Sequence, residues 1–384
     1  MNASNHKKYN AAGIGNAINL HRHAGLTLVE LMISITIGLL LLAGLTTLFA
    51  KQSSARSELD KTGRQIENGR YAMQQLQDDI QLAGYYGEYW RLGALPATLP
   101  DPCATATPAL VTGIPLPIQG YDSPATVPSP LSGCLPDANH LAGTDILVIR
   151  RVDTTSVPIA SAVAAQPYLQ AGLLAPAPEF TYVLGTGTDT TVFNLTKRDG
   201  TPANLRKYLT DIYFVSPCSV PTGAGSTCTR SDDNGKPIPT LKRLELSLSG
   251  GAATFTTVPL VEGIENLQLD YGVDYTGAVA ADGAPDCYVS DPTTPSTTEI
   301  TACPSTAATY FAKVTTTAVT NWSNVMAIRV NLLARNNDAT GGFIDDKTYK
   351  LGLAGDVTPT DKTYKRHVFT QLVRAVNPSS RREQ

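Results

Sequence analysis

From Leu31 to Ala50 the chain carries no charged residue. At about 1.5 Å of helical rise each, these roughly 20 positions match the ~30 Å hydrocarbon core of a bilayer. So long an uncharged run exceeds what a soluble helix needs, and it reads as a membrane-spanning helix. Ser34, Thr36, Thr46 and Thr47 fit within it because each hydroxyl can return its hydrogen bond to a carbonyl of the helix itself. Glu30 is the exception. A carboxylate near the start of the apolar segment is costly unless it lies at the interface or meets a positive partner.

A secretory signal peptide has a shorter apolar core and a small-x-small cleavage site behind it. Here Ala24-Gly25 come before the run. A plain signal anchor explains the length but leaves Glu30 without a reason. The order of a basic leader, Gly25, then Leu26-Thr27-Leu28-Val29-Glu30-Leu31-Met32-Ile33 resembles the class III signal of type IV pilins and pseudopilins. That resemblance implies a prepilin peptidase cutting after Gly25, N-methylation of Leu26, and Glu30 facing the N-terminal amine of a neighbouring subunit. In a helix bundle such a pair would relieve the desolvation of both charges and set subunit register. Leu26 stands where the family usually has phenylalanine, the leader is long, and no proline falls between Leu26 and Ala50. Gly38 and Gly44 are the weak points of this helix.

The 384 residues are 42% hydrophobic, enough for a real core and one large or two small domains. The formal charge is −3, and removing Lys7, Lys8 and Arg22 with the leader leaves −6. No basic patch advertises nucleic acid, so none is expected as a partner. The same three basic residues favour a cytoplasmic N-terminus, although Lys51 and Arg56 weaken the asymmetry. The remainder would then lie outside the inner membrane, in the periplasm and later on the pilus or cell surface. All six cysteines, Cys103, Cys134, Cys218, Cys228, Cys287 and Cys303, come after the apolar run. An even number in the loops of an exported domain reads as disulfides. Many pairings are open; the simplest joins sequence neighbours, Cys103 with Cys134, Cys218 with Cys228 and Cys287 with Cys303. No pair has C-x-x-C spacing, which argues against a zinc or thioredoxin-like centre.

Beyond the apolar run the helical period continues. Leu59, Ile66, Met73 and Ile80, with Leu76 and Ala83, predict one apolar stripe to about Ala83. Arg56, Lys61, Arg64, Glu67, Arg70, Gln74, Gln77 and Asp78 form a solvated face, with an Asp60–Arg64 pair along it. Gly84 is the expected C-cap. The run Asn68-Gly69-Arg70-Tyr71-Ala72-Met73, continuing through Leu76, Asp79-Ile80 and Ala83-Gly84-Tyr85, resembles the helix end of PilW-type minor pilins. Frequent prolines from about 95 to 139 predict an extended insertion with no helix or central strand. Strands are expected at 144–151, 209–215, around Leu244–Leu248, at 261–272 as one alternating block, around Met326–Leu332 and at 367–376. The blocks at 144–151 and 261–272 also resemble the PilW family. A second long loop is expected at about 273–321.

The fold expected is therefore α+β and type IV pilin-like. It has a leader (1–25), a long transmembrane and assembly helix (26–84), and a globular domain (85–384) with an antiparallel β-sheet. Only His140 and His367 lie beyond the leader, and no H-E-x-x-H, G-x-S-x-G or P-loop is present. No enzymatic activity, cofactor or metal is expected. Gly223-Ala224-Gly225-Ser226 is a turn. Asp232-Asp233-Asn234-Gly235 reads as an Asn-Gly turn in preference to a calcium loop, since it lacks the closing glutamate. Asp282, Asp286 and Asp291 gather in the second loop without a ligand pattern. The resemblance implies a minor pilin that takes part in type IV pilus assembly, in or priming the fibre. Its partners would be prepilin peptidase, major and minor pilins, a pilus-tip protein and inner-membrane lipid. The alternatives are a J-type minor pseudopilin of type II secretion and a pilus-tip adhesin.

Overall fold

The computed structural model describes Gly25 and residues 27–91, 93–174, 179–222, 227–275, 282–304 and 317–383. The leader before Gly25, Leu26 and the turn expected at 223–226 fall outside these residues. The chain divides into two units, Met1–Ser57 and Glu58–Gln384. One helix, α1, covers Leu28–Leu82.

In the first unit Thr27 caps the start of α1, its Oγ1 accepting the Glu30 N–H at 3.2 Å. The hydroxyls of Ser34, Thr36, Thr46 and Thr47 donate to the carbonyls of Glu30, Ile33, Ala43 and Gly44 at 2.7 to 2.9 Å. Every polar group inside the apolar run is thus satisfied within the helix, as hydrocarbon requires. The large apolar side chains from Leu28 to Phe49 are all exposed.

In the second unit α1 buries Gln65, Gly69, Ala72, Met73, Leu76, Asp79 and Ile80. This corrects the expected stripe, because Leu59 is 73% and Ile66 36% exposed. A straight α-helix drifts by roughly 20° per heptad relative to a strict repeat of seven. A row spaced by seven therefore leaves the buried face within two repeats. At the upper end the face is small or polar instead. A Cβ on Gly69 would overlap the Phe369 ring, and Gln65 Nε2 donates to Ala334 O at 2.7 Å. Gly84 ends the helix with φ +71°.

A seven-stranded antiparallel sheet comprises β1 (Ile118–Tyr121), β2 (Ile146–Val157), β3 (Pro167–Leu173), β4 (Phe180–Thr186), β5 (Leu205–Ser216), β6 (Thr240–Ser249) and β7 (Ala252–Glu262). β5 is its hub: one side pairs with β2, while the other pairs first with β3 and then with β6, which carries β7. A second sheet has the order β13-β10-β8-β9, from β8 (Ile264–Val273), β9 (Cys287–Val289), β10 (Val325–Arg335) and β13 (Arg366–Arg374). β11 (Tyr349–Lys350) and β12 (Asp356–Val357) form a short ribbon. The α1 residues Ala72, Met73, Leu76 and Ile80 share one core with Leu147, Tyr213 and Leu241 of the first sheet and Leu267, Ile328 and Val330 of the second. Burial on both faces explains the continuous run Ile146-Leu147-Val148-Ile149: the odd positions face α1, and the even ones face the insertion at 127–135.

The prolines predict no helix or central strand in that insertion, yet it holds a helix as well as a strand at the sheet edge. Helix α2 (Thr107–Gly113) forms with Pro108 in its first turn, where a missing N–H costs no hydrogen bond. The proline-free Ile118–Tyr121 pairs with β2 at the sheet margin. Val127, Leu131 and Leu135 then cover Val148, Ile212 and Phe214. The block 261–272 is also not one strand. Gly263, at φ +78°, separates β7 from β8, and its carbonyl accepts the Arg335 N–H at 2.7 Å. The second loop contains β9 and helix α3 (Thr297–Ala302), begun by a Ser296–Glu299 capping box. Helix α4 (Ala318–Ser323) precedes β10. The last strand stops at Arg374, and Val376–Arg382 forms helix α5. Disulfides join Cys103 to Cys134, Cys218 to Cys228 and Cys287 to Cys303.

Candidate functional site

Asp79 lies on the buried face of α1 because it shares the three- and four-residue spacing of Ala72, Leu76 and Ala83. There it meets charges from three strands. Arg151 Nη2 of β2 is 2.7 Å from Asp79 Oδ1 and 3.7 Å from Asp211 Oδ2 of β5. Arg243 of β6 stands 3.8 Å from both acids and donates from Nε to Glu245 at 2.8 Å. The Tyr213 hydroxyl donates to Asp79 Oδ2 and accepts from Arg243 Nη1 at 3.2 Å. Three acids and two guanidiniums therefore fix the helix to the first sheet in a water-poor interface. Burial, reinforced by the nearby Asp79 charge, pushes the Asp211 carboxyl well above the usual carboxylate range.

Elsewhere on α1, polar ties reach both sheets and the segments beside them. Asn68 Nδ2 donates to Glu262 O at 3.1 Å, and Gln371 Nε2 donates to Gln77 Oε1 at 2.6 Å. The expected Asp60–Arg64 pair gives way to pairs through Glu58. That carboxylate accepts from Lys365 Nζ at 2.8 Å, Lys61 Nζ at 3.1 Å and Thr340 Oγ1 at 2.9 Å. The bonds from Lys365 and then Lys61 lower the Glu58 carboxyl from 4.5 to about 2. A depressed carboxylate stabilises the fold fully above its unfolded value and loses that contribution as pH falls through its folded one. Glu58→Gln is expected to weaken the fold at neutral pH, with the deficit against the parent closing between pH 4.5 and about 2. Urea midpoints across that range check it; a deficit that stays constant with pH would remove ionised Glu58 as its cause.

Of the residues singled out from the sequence, a Cβ on Gly25 would meet nothing within 4 Å among the described residues, Leu26 lies outside them, and Glu30 is exposed in the first turn of α1. The acids at 232–233 and in the second loop are occupied by the chain itself. Asp232 accepts the Thr222 N–H, and Asp233 accepts those of Ser219, Val220 and Ile238. Asp282, Asp286 and Asp291 accept backbone N–H groups of Ala284, Tyr275 and Thr293. Cys218 and Cys228 lie beside Asp232, but their sulfurs bond each other and offer no thiolate. The charged network at Asp79 was the part missed. Its one visible signal was an acid placed between Leu76 and Ile80 on the inward face.

Residues 227–377 match the family described as Type IV Pilus-assembly protein W, and residues 20–46 match the prokaryotic N-terminal methylation motif. The first match covers β6 to β13, and the second covers the junction around Gly25 and the start of α1. No curated protein and no solved structure matches the chain.

Proposed function

Because the chain is a PilW-family minor pilin of type IV pilus assembly, we propose that it is made as a prepilin, cut after Gly25 by prepilin peptidase and methylated on Leu26. The leader would be residues 1–25, the assembly helix 26–84 and the globular part 85–384. The apolar helix and the methylation motif fit an inner-membrane-anchored pilin. The single observation that carries the reading is the exposed apolar face from Leu28 to Phe49, with Glu30 at its start. Keeping such a surface in water carries a large free-energy cost. Lipid covers it before assembly, and the helices of other major and minor pilins cover it afterwards, with a pilus-tip protein as a further partner. The globular part would then stand in the periplasm and later at the pilus.

Mass spectrometry of the protein purified from its own cells tests this. The expected N-terminus is methylated Leu26, and Gly25→Leu is expected to leave only the full-length species. A native protein that still begins at Met1, or one that begins beyond Ala50, would overturn the processing scheme.

A further inference from the structure

On the first sheet, Leu241 and Arg243 face α1, so Lys242 between them faces the other way. There it borders a cleft of about 520 Å³ whose apolar walls include Phe214, Phe255 and Pro259. Lys242 is only 4% exposed, and among the described residues its amine has no hydrogen bond and no carboxylate within ion-pair distance. Asp232 and Asp233 are the acids whose charge it feels, but both are held by backbone N–H groups. Burial lowers the Lys242 amine, an effect that an incoming anion would reverse.

Thr254, Phe255, Thr256 and Thr257 all line this cleft. Successive strand residues point to opposite faces, so a cleft bordered by four in a row runs along the margin of the strand. β7 pairs only with β6 among the described strands, and its outer margin offers backbone N–H and C=O groups to another chain. We propose that an extended segment of a partner polypeptide adds to the free margin of β7, with an apolar side chain against the half-buried Phe255 and exposed Pro259 rings and a carboxylate on the Lys242 amine. The free strand margin selects an extended backbone, the two rings select an apolar residue, and the buried amine selects the negative charge. This goes beyond the pilus-assembly role and does not rest on it.

The test is calorimetric titration of the full chain in detergent. The probe is a hexapeptide of alternating threonine and valine ending in leucine, with a free carboxylate, an amidated end or N-methylated backbone. The free acid is expected to bind about tenfold or more tightly than the amide, as a charge-assisted contact implies. Lys242→Met should make the two equal, and N-methylation should abolish binding. Val220→Asp, at a position 63% exposed on the rim, should also erase the preference, and it keeps the test open if the lysine variant fails to fold. Equal binding of acid and amide by the parent, a preference that survives both variants, or undiminished binding of the N-methylated peptide would overturn the proposal. So would phenylacetate binding as tightly as the whole peptide, which would mark a small-acid pocket instead of a strand site.

Discussion

Arg151→Met is expected to destabilise the second unit by about 3 to 5 kcal/mol, the range for breaking a buried ion pair by removing one partner. The charge balance sets the order of effects within this cluster. Without Arg151, the acids Asp79, Asp211 and Glu245 share Arg243 alone, and two of them are almost wholly buried. Asp79→Ala is expected to cost less, about 1 to 3 kcal/mol, because it leaves two acids beside two guanidiniums while stripping Arg151 of its nearest partner. The double variant Asp79→Leu with Arg151→Met should recover part of the loss, since apolar replacement of a whole buried pair is often neutral. Urea unfolding of the oxidised protein measures all three. Additive losses in the double variant would show that the two residues act separately, and an Arg151→Met effect under about 1 kcal/mol would place the network outside the forces that hold α1.

Glu30→Ala is expected to leave the protein in the membrane and keep it out of the fibre. A carboxylate near hydrocarbon opposes insertion by up to roughly 3 kcal/mol, so its removal should keep or raise the membrane-bound amount. Within a bundle the same carboxylate would be the partner of a neighbour's N-terminal amine, and the variant lacks that attraction. Pilus counts by electron microscopy, set beside the membrane-fraction amount, separate the two effects. Normal piliation with normal incorporation of the variant would remove Glu30 from assembly. A loss of membrane-bound protein would assign it to insertion instead.

The first half of α1 is legible because one physical demand, burial of an uncharged helix in hydrocarbon, writes itself into every residue. β2, β6 and β10 are legible for a related reason, since long apolar or alternating runs leave few other conformations. The second half of α1 is harder to read. Heptad spacing points at Leu59 and Ile66, yet helical drift turns them outward, and Gln65 and Gly69 make the contacts instead. β3 and β4 carry a weaker signal. Gln170 sits in the middle of β3 and is wholly buried, its side chain bonding Leu195 and Ala203 where an apolar residue would have marked a strand. The charge cluster is hardest of all, because Asp79, Arg151, Asp211 and Arg243 are far apart along the chain and meet only once α1 lies on the sheet.

The three disulfides span separations of 31, 10 and 16 residues, and the loops they close follow one another without nesting or crossing. An oxidant that meets thiols one after another, as a polypeptide threads out of a translocation channel, would make every correct bond by order of arrival. The crosslinks are therefore compatible with export that begins before the C-terminal strands exist, and no isomerase has to undo an early error before the second sheet closes.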